Sequence, residues 1–407
     1  MSIFREIPPT AGFRLSRGDV ASMFSGSGAQ SLRDDFRQYL GIDYVRVTYS
    51  GTAAFYLLLE SLKKVSSKKT VIIPSCICPL IPLAISRAGL RVEVCDISGS
   101  DFNFDPLRLE KLCRGKDVLA ILAVHLAGMP VDFDAIKTIA KEYDAFTIED
   151  CAQSLGAVYK GKKTGALGDF SFFSLCRGKG LTTYEGGIIA SNRQELNAVI
   201  DTMIKDMVKP GRLSEASLIM LLMGYWIFYR PLFFWFVFRL PEIFWTWRGD
   251  EVKAAMEDFE IDFPIHKVSA VRQAIGHSQF ARIEKEIESQ RQKAAIYINR
   301  LKNIKGIKVI EESPDSRATY PFMTIIFETR EKREKAKKAF EGSGLGVSIV
   351  YARAIADYDY LKDIVPDRNC PNGRIMSERS LTLSTSLFLE TGDIETIVKK
   401  LEDICSA

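Results

Sequence analysis

Histidine is scarce in this 407-residue chain: there are three, and the eight cysteines include no Cys-x-x-Cys pair. The usual zinc-ligand spacings are thereby excluded, and no metal site is expected. Cys76, Cys78, Cys95, Cys113, Cys151, Cys176, Cys370 and Cys405 are too sparse for a disulfide scaffold. Several sit in apolar strand-like runs, so they read as reduced thiols of a cytoplasmic protein. Neither sign of charge dominates, with 55 basic against 51 acidic residues. The chain therefore lacks the basic excess of a nucleic-acid binder. Met1–Thr10 holds Arg5, Glu6 and two prolines but no apolar core, so no signal peptide is expected. Repeats and low-complexity tracts are also missing. What remains is globular composition, 47% hydrophobic and 26% charged, in a length that predicts two or three structural units or one large α/β unit. The mean hydropathy of +0.01 is high for a soluble enzyme, and one segment accounts for much of it.

From Asp43 to Ala190 short β-branched runs alternate with helical stretches. Strands are predicted at Val45–Tyr49, Val71–Ile73, Arg91–Cys95, Val118–Val124 and Ala145–Ile148. Helices are predicted at Ala53–Leu62, Leu80–Arg87, Leu107–Cys113 and Phe133–Tyr143. Apolar strands alternating with helices imply a mainly parallel sheet covered on both faces, with ligands beyond the carboxyl ends of its strands. Chemistry is therefore sought in the loops at 50–52, 74–79, 125–130 and 149–154. Further on, helices are predicted at Gln279–Asn299, Arg330–Phe340 and Asp393–Ile404, and strands at Ile307–Ile310, Thr319–Phe327 and Gly346–Tyr351. The expected division is a large domain over 1–204, an apolar insertion over 205–250, and a smaller α+β domain with its connecting helix over 251–407.

Three motifs fall at the predicted strand ends. Ser50-Gly51-Thr52-Ala53 follows a strand and opens a helix, which makes either a phosphate cradle or an ordinary Thr N-cap. Ile148-Glu149-Asp150-Cys151-Ala152-Gln153 ends an apolar strand in a carboxylate, and a buried carboxylate needs a partner. A protonated pyridine nitrogen would serve, with Gln153 donating to a ring oxygen; a helix N-cap is the competing reading. In Phe173–Gly187, Lys179 stands in a glycine-rich turn, where it is either a Schiff-base amine or a solvated loop residue.

Taken in order, the run from Ala123 through His125 to Gly128, the Asp150/Gln153 pair, Gly161–Gly168 and the lysine loop resemble the DegT/DnrJ/EryC1/StrS family of pyridoxal-phosphate (PLP) dependent sugar aminotransferases of fold type I. The resemblance covers roughly Gly12 to Glu195 and resumes near Val268. It implies that Lys179 carries the cofactor covalently, that Asp150 pairs with the pyridine nitrogen, and that Gln153 contacts the ring hydroxyl. It implies further that Gly51, Thr52, Ala53 and Ser174 hold the phosphate. Family members that dehydrate sugars carry histidine at the lysine position, so Lys179 favours transamination. The expected substrates are a keto-sugar and an amino-acid donor, glutamate, and the expected assembly is a homodimer. Rival readings are sulfur transfer through Cys370 and a non-catalytic membrane-bound scaffold.

The chain departs from the family pattern in three places. Pro74-Ser75-Cys76-Ile77-Cys78 puts a thiol, Cys78, where the family stacks an aromatic residue on the cofactor. Phe263–Val268 has Ile265 in place of an asparagine that reaches the partner's phosphate, leaving His266 or Lys267 as substitutes. Third, Ala216–Trp247 contains all four tryptophans and only Arg230, Arg239 and Glu242 as charges. Its longest run, Ser217–Phe238, is interrupted by Arg230-Pro231 into halves too short to span a bilayer. Flanking Lys205, Lys209, Arg212, Arg239 and Arg248 suit shallow insertion into an anionic leaflet of the cytoplasmic face, with a buried dimer interface or lid as the alternative. His125 reads as a satisfied structural histidine and Arg353 as a surface arginine.

Overall fold

Short buried strands of Val, Ile, Leu and Phe form the centre of the molecule, because a parallel sheet coated by helices leaves no face for polar side chains. The computed structural model describes residues 4–24 and 28–406; Met1–Ile3 of the leader reading lie outside them. In chain order the strands are β1 (Tyr44–Thr48), β2 (Thr70–Pro74), β3 (Arg91–Cys95), β4 (Val118–Val124), β5 (Phe146–Asp150), the short β6 (Val158–Tyr159) and β7 (Lys162–Lys163), β8 (Phe170–Ser174) and β9 (Gly187–Ser191). Seven of them make one sheet in the order β1-β9-β8-β5-β4-β2-β3. Only β9 runs against its neighbours. Its first residue, Gly187, therefore lies beside the carboxyl ends of both β1 and β8, opposite Thr48 and Ser174. This is the fold type I arrangement expected from the sequence.

A second sheet, β10 (Ile307–Val309), β12 (Phe322–Phe327) and β13 (Ser380–Ser384), is antiparallel in the order β10-β12-β13. The two-residue β11 (Ser316–Arg317) pairs with β6, tying the second sheet's neighbourhood to the first. Residues 6–13 cross between the units as an extended strap. Ile7 N–H donates to Gly344 O (3.0 Å), Ala11 N–H to Pro321 O (2.7 Å) and Phe13 N–H to Gly180 O (3.0 Å).

Several elements differ from the sequence reading. The long helix expected over Gln279–Asn299 is two helices, Ala270–Phe280 and Ile283–Leu301. The chain turns at Arg282, whose guanidinium is held by the fully buried Asp19 at 2.8 Å. The strand expected at Thr319 starts only at Phe322, since Tyr320 has φ 50° and Pro321 cannot donate to a ladder. Gly346–Tyr351 is not a strand: only Ser348 bridges to Thr382, and Gly346 (φ 67°) is pressed against the strap at Ile7 O and Pro8 O. Strands β8, β9 and β13 were not expected.

The apolar segment forms a bent helical hairpin. Arg212–Phe228 and Pro231–Trp247 meet at 118° across Tyr229-Arg230, and among the described residues no single helix is long and apolar enough to cross a membrane.

Candidate active site

The carboxyl edge of the large sheet gathers the sequence motifs at one place. After β1, Ser50 takes an extended conformation and its side chain accepts from Ala53 N–H at 3.1 Å, so the helix Gly51–Val65 is capped by Ser50. The expected Thr52 cap is thereby corrected: a cap must precede the first turn, and Thr52 is already inside it. Ala54 N–H reaches Ser50 O, so the first-turn N–H groups of Gly51 and Thr52 are the ones helix geometry leaves without a partner. Gly51 is glycine for a reason of space, since a Cβ there would lie 3.0 Å from Ser174 Cβ and 3.3 Å from Phe173 O. Phosphate-sized anions suit such a cradle of free N–H groups, the helix dipole and the half-buried Ser174.

Asp150 ends β5, buried, and the only hydrogen bond to its carboxylate among the described residues is from Ala152 N–H to Oδ1 (2.9 Å). No helix follows, so the N-cap reading is excluded. Burial pushes its pKa upward, against the opposing pull of Ala152 N–H, Lys179 and His125. A buried carboxyl with one oxygen unclaimed fits a cationic ring N–H, which would restore its ionised form. Gln153 is oriented by Ala127 N–H donating to Oε1 (2.8 Å), leaving its amide Nε2 free to donate.

Lys179 sits in a turn pinned from several sides. Gly178 holds φ 77°. Thr10 Oγ1 donates to Gly178 O (2.6 Å) and Lys179 N–H to Cys176 O (3.2 Å). Gln279 clamps the turn's far end, accepting from Thr182 N–H (3.1 Å) and donating to Thr182 O (2.7 Å). One cavity is lined by Lys179, Gln153, Ser174, Thr10, Gln290 and Thr319.

Other predicted residues take supporting places. Cys78 is partly buried, and burial pushes its thiol up to about 11; Lys179 and Asp150 are among the charges acting on it. His125, fully buried, accepts from Val131 N–H at Nδ1 (3.2 Å) and so donates from Nε2 to Glu149 (3.0 Å). Glu149 also accepts from the N–H groups of Gly165, Leu167 and Gly168. His125, Glu149 and Cys151 cluster closely enough to invite a metal, but these hydrogen bonds already occupy the carboxylate and both ring nitrogens. Cys370 is buried with its thiol pushed up to about 12 by burial, a poor mobile sulfur carrier. All eight cysteines are free. Arg353 is half-exposed and pairs with Asp359 at 3.1 Å. Ile265 packs in a cluster with Tyr49, Ala53 and Leu218, and His266 meets the Tyr49 ring edge-on at 5.5 Å with its Nδ1 buried and unpartnered.

Two residues were not singled out from the sequence. Glu257, in a charge-rich linker, is buried, accepts from Ala352 N–H (3.0 Å) and from Tyr358 Oη, and is pushed up to about 7 by burial. Tyr351 lies in the field of Cys78, Cys76, Asp150 and Glu257, its hydroxyl driven upward first by burial. Tyr360 is likewise in the field of Cys78 and Glu257. A carboxylate after an apolar run was the only sequence signal for Asp150, and Glu257 had none.

A first-turn anion cradle, a buried carboxyl awaiting a cation and a lysine in a rigid turn define a PLP-dependent enzyme of fold type I. The chain belongs to the DegT/DnrJ/EryC1/StrS aminotransferase family, whose model matches residues 16–216 and 265–402. It is an aminotransferase, and its cofactor is pyridoxal 5′-phosphate. The chain is 25% identical over 356 residues to the UDP-4-amino-4,6-dideoxy-N-acetyl-β-L-altrosamine transaminase of Campylobacter jejuni, covering 85% of this chain and 81% of that one. GDP-perosamine synthase of Caulobacter vibrioides is 33% identical over 177 residues, 44% of this chain and 47% of its own. The PLP form of Spr1654 from Streptococcus pneumoniae shares the fold, with a TM-score of 0.77 at 18% identity, covering 98% of this chain and 99% of that one.

Proposed function

We propose that this aminotransferase moves an amino group from glutamate to a keto-sugar carried on a nucleotide or a lipid, for surface polysaccharide or lipopolysaccharide synthesis. The two relatives described above are named for nucleotide-linked amino sugars. The observation that carries the site assignment is the convergence of Lys179, Gln153 and Ser174 on one cavity, with Asp150 buried at the adjoining strand end. Lys179 is the catalytic amine. Asp150 would hold the ring nitrogen in its protonated form, and Gln153 Nε2 would donate to the ring oxygen. Gly51 and Thr52 N–H with Ser174 would receive the phosphate while Ala53 N–H serves the Ser50 cap, and Cys78 would lie beside the ring.

When bound, PLP supplies the electron sink that lets an α-proton leave. Lys179, once its amine is free, moves that proton between carbons. The reaction balances without another reagent: glutamate loses its C–N bond and is oxidised to a 2-oxo acid, while the sugar's carbonyl carbon gains the C–N bond and is reduced.

The assembly we propose is a cytoplasmic homodimer, with a large domain over 1–204, the insertion over 205–250 and a small domain over 251–407. We further propose that 216–247 rests on the membrane face. Eleven of its large apolar side chains are exposed to water, Trp247 at 78% and Met220 at 74% among them, and a patch of that kind marks an interaction surface. Borohydride reduction followed by peptide mapping tests the assignment: a pyridoxyl adduct on Lys179 is expected, and an adduct elsewhere would overturn it.

A further inference from the structure

The family match ends at residue 216 and resumes at 265, so the hairpin is a stretch whose sequence departs from the family pattern. Its exposed face carries Met220, Phe236, Val237 and Trp247. The acidic residues inside it are already spent. Glu215 is held below its ordinary range, against its burial, by the buried Arg272, and Glu242 pairs with Arg239 at 2.8 Å. Lys209, Arg212, Arg230 and Arg248 remain exposed around the apolar face. Charge and apolarity together fit an anionic lipid surface.

The root of the same hairpin packs against the elements that frame the active site. Leu218 is buried against Tyr49 and Ala53, at the anion cradle. Tyr225 and Tyr229 stack at 4.3 Å; Tyr225 Oη donates to Phe13 O at 3.1 Å and Tyr229 Oη to Thr10 O at 3.5 Å. Thr10 in turn holds Gly178, beside Lys179. Arg272 extends from Glu215 to Thr183 O (3.3 Å), on the far side of the lysine turn. From Leu218 to the exposed Phe228 the helix rises only about 15 Å at ~1.5 Å per residue. A bilayer engaged by this face would therefore lie within reach of the site.

We propose that the acceptor is a keto-sugar joined through a diphosphate to a membrane lipid, presented from the bilayer along the hairpin. This rests on the aminotransferase reading and on the membrane contact above. A sugar on a soluble nucleotide needs no apolar surface rooted at the cradle, whereas a lipid diphosphate keeps its chain in the membrane while its sugar enters the site.

The test uses holoenzyme with vesicles of phosphatidylglycerol and phosphatidylcholine, with or without geranylgeranyl diphosphate, and UDP as the soluble probe. Vesicle flotation reports the membrane contact, and bleaching of the cofactor's visible band by glutamate reports the aminotransferase. Geranylgeranyl diphosphate in the vesicles is expected to raise the apparent KM for glutamate roughly tenfold, and UDP at the same concentration far less. The doubly substituted Val237→Ser/Trp247→Ser enzyme should keep its visible band and lose both flotation and the lipid effect. Flotation with stronger competition by UDP, or with no competition by either probe, overturns the lipid-linked acceptor alone. Loss of flotation overturns it together with the membrane contact, and failure of glutamate to bleach the band overturns the aminotransferase reading itself.

Discussion

At the scale of single residues, the roles proposed for Asp150 and Lys179 separate on substitution. Lys179→Ala should abolish the borohydride-fixed adduct and cost roughly 10²–10⁴ in turnover, the range expected for a positioned proton-transfer group. Asp150→Asn cannot stabilise a ring N–H cation; we expect a similar loss in turnover with the Lys179 adduct retained. Turnover within a fewfold of the parent would refute the role given to Asp150. Both residues were legible because their types are unusual in their settings: an acid closing an apolar strand and a lysine between two glycines. Glu257 was illegible because its burial arises from tertiary contacts with Tyr358 and the Ala352 amide. It gives a pH prediction. Its carboxyl is raised from 4.5 to about 7 in the fold, so between those values the unfolded chain has lost a proton that the folded chain keeps. Stability must then fall as pH rises from 4.5 through 7, by an amount on the order of 1–3 kcal/mol. Denaturant titrations at both ends of that window should show a flatter profile for Glu257→Gln than for the parent; equal slopes would mean the group titrates normally.

At the scale of elements, the sequence periodicity located the helices and strands whose own apolar pattern matches their observed conformation. Leu80–Arg87, Arg91–Cys95, Val118–Val124 and Arg330–Phe340 have the predicted bounds. It failed where distant chain decides the conformation. Gly346–Tyr351 has a strand's composition, yet the strap's carbonyls at Ile7 and Pro8 crowd Gly346. Strand β8 runs into the start of the lysine motif at Phe173-Ser174, and nothing local records that β9 reverses direction. The strap itself makes a sharp prediction. A Cβ on Gly12 would lie 2.8 Å from Tyr229 Oη and 3.0 Å from Gly178 Cα. Gly12→Ala should therefore push the hairpin and the lysine turn apart, at a cost of about 1–3 kcal/mol. Tyr229→Phe removes one of the two obstructing groups, so the double variant should recover part of the loss. A double-mutant cycle with coupling of at least ~0.5 kcal/mol in that direction is expected, and simple additivity would show that the two segments do not communicate.

At the scale of the whole molecule, the alternation of strand and helix was enough to locate five of the sheet's seven strands and its functional edge, because ligands of such folds gather where the strands end. The hairpin was legible as an anomaly of composition, but its relation to the site was not, since that depends on the contacts of Leu218, Tyr225 and Tyr229. Those contacts also bear on how the membrane surface is best tested. Leu218, Leu222, Tyr225 and Tyr229 are buried, so deleting 216–247 would uncover Leu15 and Ile275, which share their cluster, and would confuse unfolding with loss of membrane contact. Substitutions confined to the exposed face avoid this. An apolar face of this extent should make the detergent-free enzyme self-associate. Light scattering in mild detergent should then give twice the chain mass of 45.7 kDa, and larger species should appear when detergent is withdrawn. Val237→Ser/Trp247→Ser should suppress those larger species while leaving the dimer. If the substitutions instead convert dimer to monomer, the exposed face is the subunit interface, and the membrane must be given up as its occupant.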